Sequence, residues 1–233
     1  DVQSVGEFLA TIAPLEKDGT SGFVRLFVDN DPGNPERYRV FVEQGGLGLP
    51  DESYYRDEKF ATLREAYRAH VTRMFERAGE CSPADRATLA IGLEVDIATL
   101  HWNNVRCRDS VATYNPTSWS DTVSAVARES RGAANLDVWL GALGVPPGSF
   151  ETVVIRQPSV VSGLGGLLTD DRLESWKAWL AWSIIRNAAP YLSSEFAEAN
   201  FDFYGRRLTG ARELRARWKR AVAFVEGAMG EAV

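Results

Sequence analysis

Histidine is nearly missing from this chain. Among 233 residues there are two, His70 and His101, and neither is followed by glutamate. The usual hydrolytic zinc helix, H-E-x-x-H, sets two histidines on one face with the glutamate beside the bound water. Two isolated histidines without clustered acids cannot build that site, so the chain offers no metal ligands and no catalytic residues of this kind. His70 has no His or Glu four residues away, which predicts a core or surface role for it. Cysteine is as scarce, with only Cys81 and Cys107, too few for a disulfide scaffold. Ser82 as N-cap and Pro83 at the first helical position predict a helix from 83 to 105. Such a helix holds its ends about 35 Å apart, whereas a disulfide needs Cα atoms within about 7 Å. The two thiols are expected to stay free. Cys107 lies between Arg106 and Arg108, so its pKa is a candidate for lowering, which makes it reactive rather than catalytic. There is no Gly-x-Ser-x-Gly elbow and no carboxylate pair beyond ordinary helix-surface charge.

Positive charge is in deficit. Lys and Arg number 26 against 32 Asp and Glu, a net charge of −6, which argues against nucleic acid or anionic membrane as the main partner. No apolar run reaches the length of a membrane span, and no signal peptide is visible. The chain opens at Asp1 without methionine and closes with Glu231-Ala232-Val233 inside helix-type sequence. It therefore reads as an excised piece, and no compartment is assigned.

What the chain has is bulk. Hydrophobic residues make up 45%, with seven Trp and 11 Phe, the composition of a folded core packed on large anchors. At Gln44-Gly45-Gly46-Leu47-Gly48-Leu49-Pro50 three glycines and a proline fall together, which excludes regular helix or strand. No Lys-Ser or Lys-Thr follows, and the spacing is not that of a dinucleotide fingerprint. This is a bend, not a phosphate loop.

The bend divides two kinds of pattern. Before it, Ser4 to Ala13 predicts a short helix stopped by Pro14. Phe23 to Val28 and Tyr38 to Glu43 are β-branched and aromatic, and predict a hairpin over about 23–43 with a long turn from Asp29 to Glu36. The glycine there is at the wrong offset for a calcium loop. After the bend almost everything reads as helix. Phe60, Leu63, Tyr67, Val71 and Met74 predict a helix over about 57–78. Ala90, Leu93, Ile97 and Leu100 mark the Pro83 helix. Two short helices follow, from Thr117 to Ala127 and from Leu136 to Leu143, the second closed by Gly144. Thr152 to Arg156 is a short extended run, and Gln157-Pro158-Ser159 opens another helix. Asp171 to Ala188, with Trp176, Trp179 and Trp182, is the central helix. After Pro190 a helix restarts at Ser193 or Ser194. In the last one, Leu214, Trp218, Ala221, Val225 and Met229 form a stripe, which predicts Trp218 buried against the Trp-rich helix and Arg215 and Lys219 exposed. The fold class is mainly α, a multi-helix bundle-like domain with a small N-terminal β-hairpin. A single domain over 1–233 is expected, with its helical body at about 54–233.

Several blocks carry a resemblance. Gln44 to Tyr55 is similar to the QGGLGLP-x-x-x-YY segment of the neprilysin-like zinc metallopeptidases. His101-Trp102 leading to Arg108-Asp109 and Thr113-Tyr114-Asn115 resembles a second block, with Cys107 departing from the charged or polar residue expected there. The Trp-Leu helix, Gly, VVI run and Gln157-Pro158 follow in the family's order. So do Leu192-Ser193-x-x-Phe196, Phe201-x-Phe203-Tyr204, Leu208-x-Gly210 and Arg217-Trp218-Lys219. The resemblance implies a piece of the non-catalytic helical domain of a zinc metalloendopeptidase that hydrolyses peptides. In such enzymes this domain covers the active-site cavity of a thermolysin-like catalytic domain and restricts substrate size. The catalytic domain and peptide substrates are the implied partners, with zinc as the cofactor of the whole protein. The family's NAYY segment, zinc helix, acidic ligand and C-terminal histidine have no counterpart here, so no catalytic or metal residue transfers and the piece alone is expected to be inactive.

One local feature exceeds background. Arg206, Arg207, Arg212, Arg215, Arg217, Lys219 and Arg220 crowd one stretch of an acidic chain. A solvated helix face is the plain reading. Arg212, Arg215 and Lys219 are the candidates for a face that docks on a partner domain or steers acidic peptides. The alternative to an enzyme piece is a free-standing helical interaction module. A small enzyme using Cys107 is a third reading.

Overall fold

The computed structural model describes residues 2–230, so the expected helical course of Glu231-Ala232-Val233 lies outside the described residues. The chain divides into two compact units, Asp1–Ala188 and Ala189–Val233.

In the first unit, α1 spans Val5–Lys17, opened by Ser4, whose Oγ accepts from the Glu7 amide. The expected stop at Pro14 does not occur, because Pro14 lies inside this helix. An interior proline costs a helix about 3 kcal/mol. Burial of Ile12 and Ala13 offsets that cost, as does a 2.6 Å bond from the Trp139 indole to Glu16. The hairpin is present as β1 (Val24–Asp31) and β2 (Asn34–Gln44). Its turn is shorter than expected. Only Pro32-Gly33 separates the strands, since Asp31 Oδ1 accepts both the Gly33 amide (2.9 Å) and the Tyr114 hydroxyl (2.5 Å) and carries the ladder to the tip.

The short helix α2 (Ser53–Arg56) leaves the bend, and α3 (Ala61–Arg77) follows. The next helix, α4, spans Pro83–Leu100 and stops five residues before the expected end. The Gln44 side chain takes both main-chain groups of Trp102, at 2.9 and 3.0 Å. Asn103 then caps α5 (Asn104–Cys107). Tertiary capture of 101–103 therefore breaks a helix that local pattern would continue. Ser82 is not the expected side-chain cap either; it sits left-handed at φ 53°.

The order continues with β3 (Pro116–Ser118), α6 (Trp119–Glu129), α7 (Leu136–Leu143), β4 (Thr152–Ile155), α8 (Pro158–Gly165) and α9 (Leu173–Ala188). The strands form one sheet in the order β1-β2-β4-β3. β2 pairs with β4 in parallel, Val40–Val42 against Val153–Ile155, and this places β1 at an edge. Helix α4 packs along α9, α1 along α7 and α6 along α8. Trp139, Trp176, Trp179 and Trp182 are at most 1% exposed, so the Trp-rich helix is central as expected. Mainly α with a small sheet near the N-terminus is the observed class.

In the second unit, α10 spans Ser194–Asn200, a π-helical stretch spans Phe201–Leu208, and α11 spans Arg217–Met229. The burial expected of Trp218 is not found: it is 66% exposed, and α11 has no buried residue. Helical periodicity shows which face of α11 is apolar but not that anything covers it. Within the unit, Arg220 in the first turn of α11 donates to the Pro190 carbonyl (2.9 Å), and Phe224 packs against Tyr191 (4.7 Å).

Candidate functional site

The glycine bend joins the hairpin to the helical body, and groups from several elements converge on it. Tethers run along its backbone in sequence. His101, just past α4, donates Nε2–H to Gly45 O at 2.9 Å, a tautomer set by the carbonyl it meets. From α9, Trp179 reaches Gly46 O at 2.8 Å and Arg186 reaches Leu47 O at 2.9 Å. The Gly48 and Leu49 amides both donate to the Tyr55 hydroxyl at 3.0 Å. That hydroxyl donates in turn to Glu94 of α4 at 2.8 Å. Tyr67 of α3 donates to the same carboxylate (2.9 Å) and accepts from the Trp182 indole (2.8 Å).

The glycines follow from this crowding. Gly46 sits at φ +89°. A Cβ on Gly48 would lie 1.9 Å from the Tyr67 hydroxyl and 2.7 Å from Glu94 Oε1. Glu94 is fully buried. Burial raises its pKa to about 7, against the opposing pull of Arg186 and of the bonds from Tyr55, Tyr67 and Trp182. Burial likewise lowers His101 to about 4, with the Gly45 bond opposing. His101 is therefore neutral at neutral pH and serves as a donor.

Beside the bend runs an open groove of about 890 Å³. His101, Asn104, Cys107 and Arg186 are among its lining residues, together with residues of β1 and Leu143, Val145 and Phe150. Cys107 is half-buried, and its thiol pKa is raised, first by burial, not lowered by the neighbouring arginines as the sequence suggested. Gln157 approaches its sulfur at 3.7 Å, and Arg106 stacks 3.4 Å over the Trp102 ring instead. A protonated, partly covered thiol is a poor nucleophile, which removes the support for an enzyme using Cys107. Cys81 and Cys107 are both free.

His70 is buried on α3, edge-on to Trp182 at 5.6 Å. Burial, with Arg73 and Arg77, lowers its pKa to about 3. The two histidines thus serve separate packing roles. Among the described residues no three His, Cys, Asp or Glu side chains gather where they could hold a metal ion. These side chains do not fit a zinc site. No described helix is long and apolar enough to cross a membrane.

The basic candidates do not share one helix face. Arg212 and Arg215 lie in the irregular stretch before α11, and only Lys219 is on the helix. All three are exposed. Sequence reasoning found the bend but missed Glu94, the group its tethers lead to. A glutamate on the apolar side of α4, between Leu93 and Ile97, was the signal.

Comparison with known proteins places this geometry. The N-terminal profile of peptidase family M13 matches residues 2–233. Mouse membrane metallo-endopeptidase-like 1 is 24% identical over 223 residues, covering 90% of this chain and 29% of that protein. Bovine endothelin-converting enzyme 1 is 22% identical, covering 92% of this chain and 28% of that protein. The inhibitor complex of the zinc metalloprotease Zmp1 of Mycobacterium tuberculosis superposes with a TM-score of 0.91 at 36% identity, over 100% of this chain and 35% of that one. The chain spans about a third of the length of the relatives it matches.

Proposed function

Because the chain belongs to peptidase family M13 and corresponds to an N-terminal region of its zinc metallopeptidases, we propose that it is the non-catalytic helical part of a zinc metalloendopeptidase. In this reading it covers the active-site cavity of a thermolysin-like catalytic domain and restricts entry to peptides. The observation that carries the reading is the Zmp1 likeness, which runs the whole length of this chain yet uses only 35% of that enzyme. In this reading the zinc belongs to residues outside these 233. Within the chain, the clamped bend supports the role by fixing the hairpin rigidly to the helical body. Arg212, Arg215 and Lys219 dock on the catalytic domain or steer acidic peptide groups toward the cavity.

The test uses the full-length protein. It should bind one zinc and cleave short peptides while leaving a folded protein of similar sequence content intact. Reversing Arg212, Arg215 and Lys219 to glutamate should lower peptide turnover at least threefold and leave the melting of the 233-residue chain unchanged. A full-length protein without H-E-x-x-H or zinc would instead establish a free-standing helical module. Unchanged turnover would remove the docking role of the three basic residues alone.

A further inference from the structure

The glycine bend hangs on one buried acid and one base. Glu94 is fully buried. The groups that meet it come from three elements: the Tyr55 hydroxyl from α2, the Tyr67 hydroxyl from α3, and Arg186 from α9, whose charge acts on the carboxyl. The point that a Cβ on Gly48 would take lies 2.7 Å from Glu94 Oε1 and 2.9 Å from Arg186 Nη1. Acid and base thus close in on one spot, where only a bare backbone fits. The guanidinium donates to the Leu47 carbonyl at 2.9 Å. Leu47 and Arg186 both line the open groove.

Charge state decides which oxygen Arg186 serves. Burial holds the Glu94 pKa near 7, so below that pH the carboxyl is neutral and the Leu47 carbonyl is the better acceptor. Above it, a buried carboxylate faces the guanidinium across one glycine. Charge-assisted hydrogen bonds are about twice as strong as neutral ones, and a buried charge needs a partner. The Leu47 carbonyl, left at the groove, can take water instead. The other titratable groups nearby do not substitute. His70 and His101, lowered to about 3 and 4, stay neutral across this range. Glu52, buried ahead of α2, is paired with Arg56 at 3.4 Å. Glu16 is raised to about 7, but it sits at the other end of the hairpin, against Gly22 and the Trp139 indole.

We propose that Glu94 and Arg186 form a proton-operated latch on the glycine bend. With the proton in place, Arg186 holds the Leu47 carbonyl. Loss of the proton to water draws Arg186 onto the carboxylate and frees the backbone of 47–49 toward the groove. Tyr55 ties Glu94 to the Gly48 and Leu49 amides, so a change of partner at the carboxyl is felt along that backbone. The latch is closed in mild acid and open in mild alkali. It lies wholly within the first unit and stands on the geometry of the bend, so its failure would leave the peptidase reading untouched.

The test is an NMR titration of the 233-residue chain from about pH 5.5 to 8.5, with carbon-13 in the glutamate carboxyls and the leucine main-chain carbonyls. The Leu47 carbonyl should shift together with the Glu94 carboxyl and share its midpoint. Amide exchange at Gly48 and Leu49, corrected for its intrinsic pH dependence, should rise about tenfold over the same range. Glu94→Gln should abolish both changes and leave any step at Gly22, which belongs to Glu16, in place. Arg186→Gln should leave Glu94 titrating at a higher pH, since the opposing charge is gone, with no step at Leu47. If Glu94→Gln fails to fold, the parent midpoints and Arg186→Gln decide. The latch is overturned by a Glu94 carboxyl that does not titrate in this range, by a Leu47 carbonyl that stays still while Glu94 titrates, or by a Leu47 step that survives in either folded variant.

Discussion

Replacing Glu94 with glutamine should change how stability depends on pH more than how stable the protein is at any one pH. The carboxyl is fully buried, and its pKa rises from 4.5 to about 7. A raised folded pKa means the folded chain holds this proton more tightly than the unfolded chain. Its contribution is complete below about pH 4.5, falls as pH rises toward 7, and is gone above that. At 1.36 kcal/mol per pKa unit the loss is about 3 kcal/mol, a sizeable part of a domain's 5–15 kcal/mol. Both tyrosine hydroxyls approach Oε2, at 2.8 and 2.9 Å, so a glutamine carbonyl can accept both. Glutamine does not titrate. Other groups move in the same range: Glu16 is also raised to about 7, with burial the first cause. His70 and His101, lowered to about 3 and 4, lose stability as pH falls below about 6.5. The difference between variant and parent cancels these. Urea melts of both from pH 4.5 to 8 should show Glu94→Gln gaining about 3 kcal/mol on the parent between pH 4.5 and 7.5. Parallel curves would refute the buried, near-neutral carboxyl.

Gly48→Ala forces a methyl against the Tyr67 hydroxyl and Glu94, 1.9 and 2.7 Å away; it should cost about 1–3 kcal/mol or more in denaturant melts, and a neutral result would mean the clamp is loose. Trp218→Ala should cost under about 0.5 kcal/mol in this chain, the range for an exposed site, because the side chain is 66% exposed; a loss of several kcal/mol would show a covered indole. Thiol titration under denaturing, non-reducing conditions should count two per chain, and in the native protein the exposed Cys81 should react before the half-buried Cys107; equal native rates would contradict the raised Cys107 pKa.

Local pattern alone determined a good deal. The alternation in β1 and β2 marked the hairpin, Gly144 marked the end of α7, and the Trp spacing marked α9, because each signal lies within a few residues of its consequence. Three outcomes depended on partners distant in sequence. Strand β4 turns the hairpin into part of a four-stranded sheet by pairing with residues 113 positions earlier, a contact no local period encodes. Helix α4 ends at Leu100 because Gln44 captures Trp102, and α1 passes through Pro14 because its last turn is held by Trp139. The faces of α11 went the other way. Its stripe is real, but an amphipathic helix specifies only which side is apolar, and burial belongs to whatever lies against that side. Glu94 is the same lesson at the site. Its place between Leu93 and Ile97 pointed inward, but only the fold brings Tyr55, Tyr67, Trp182 and Arg186 around it, and with them a carboxyl that titrates near neutrality.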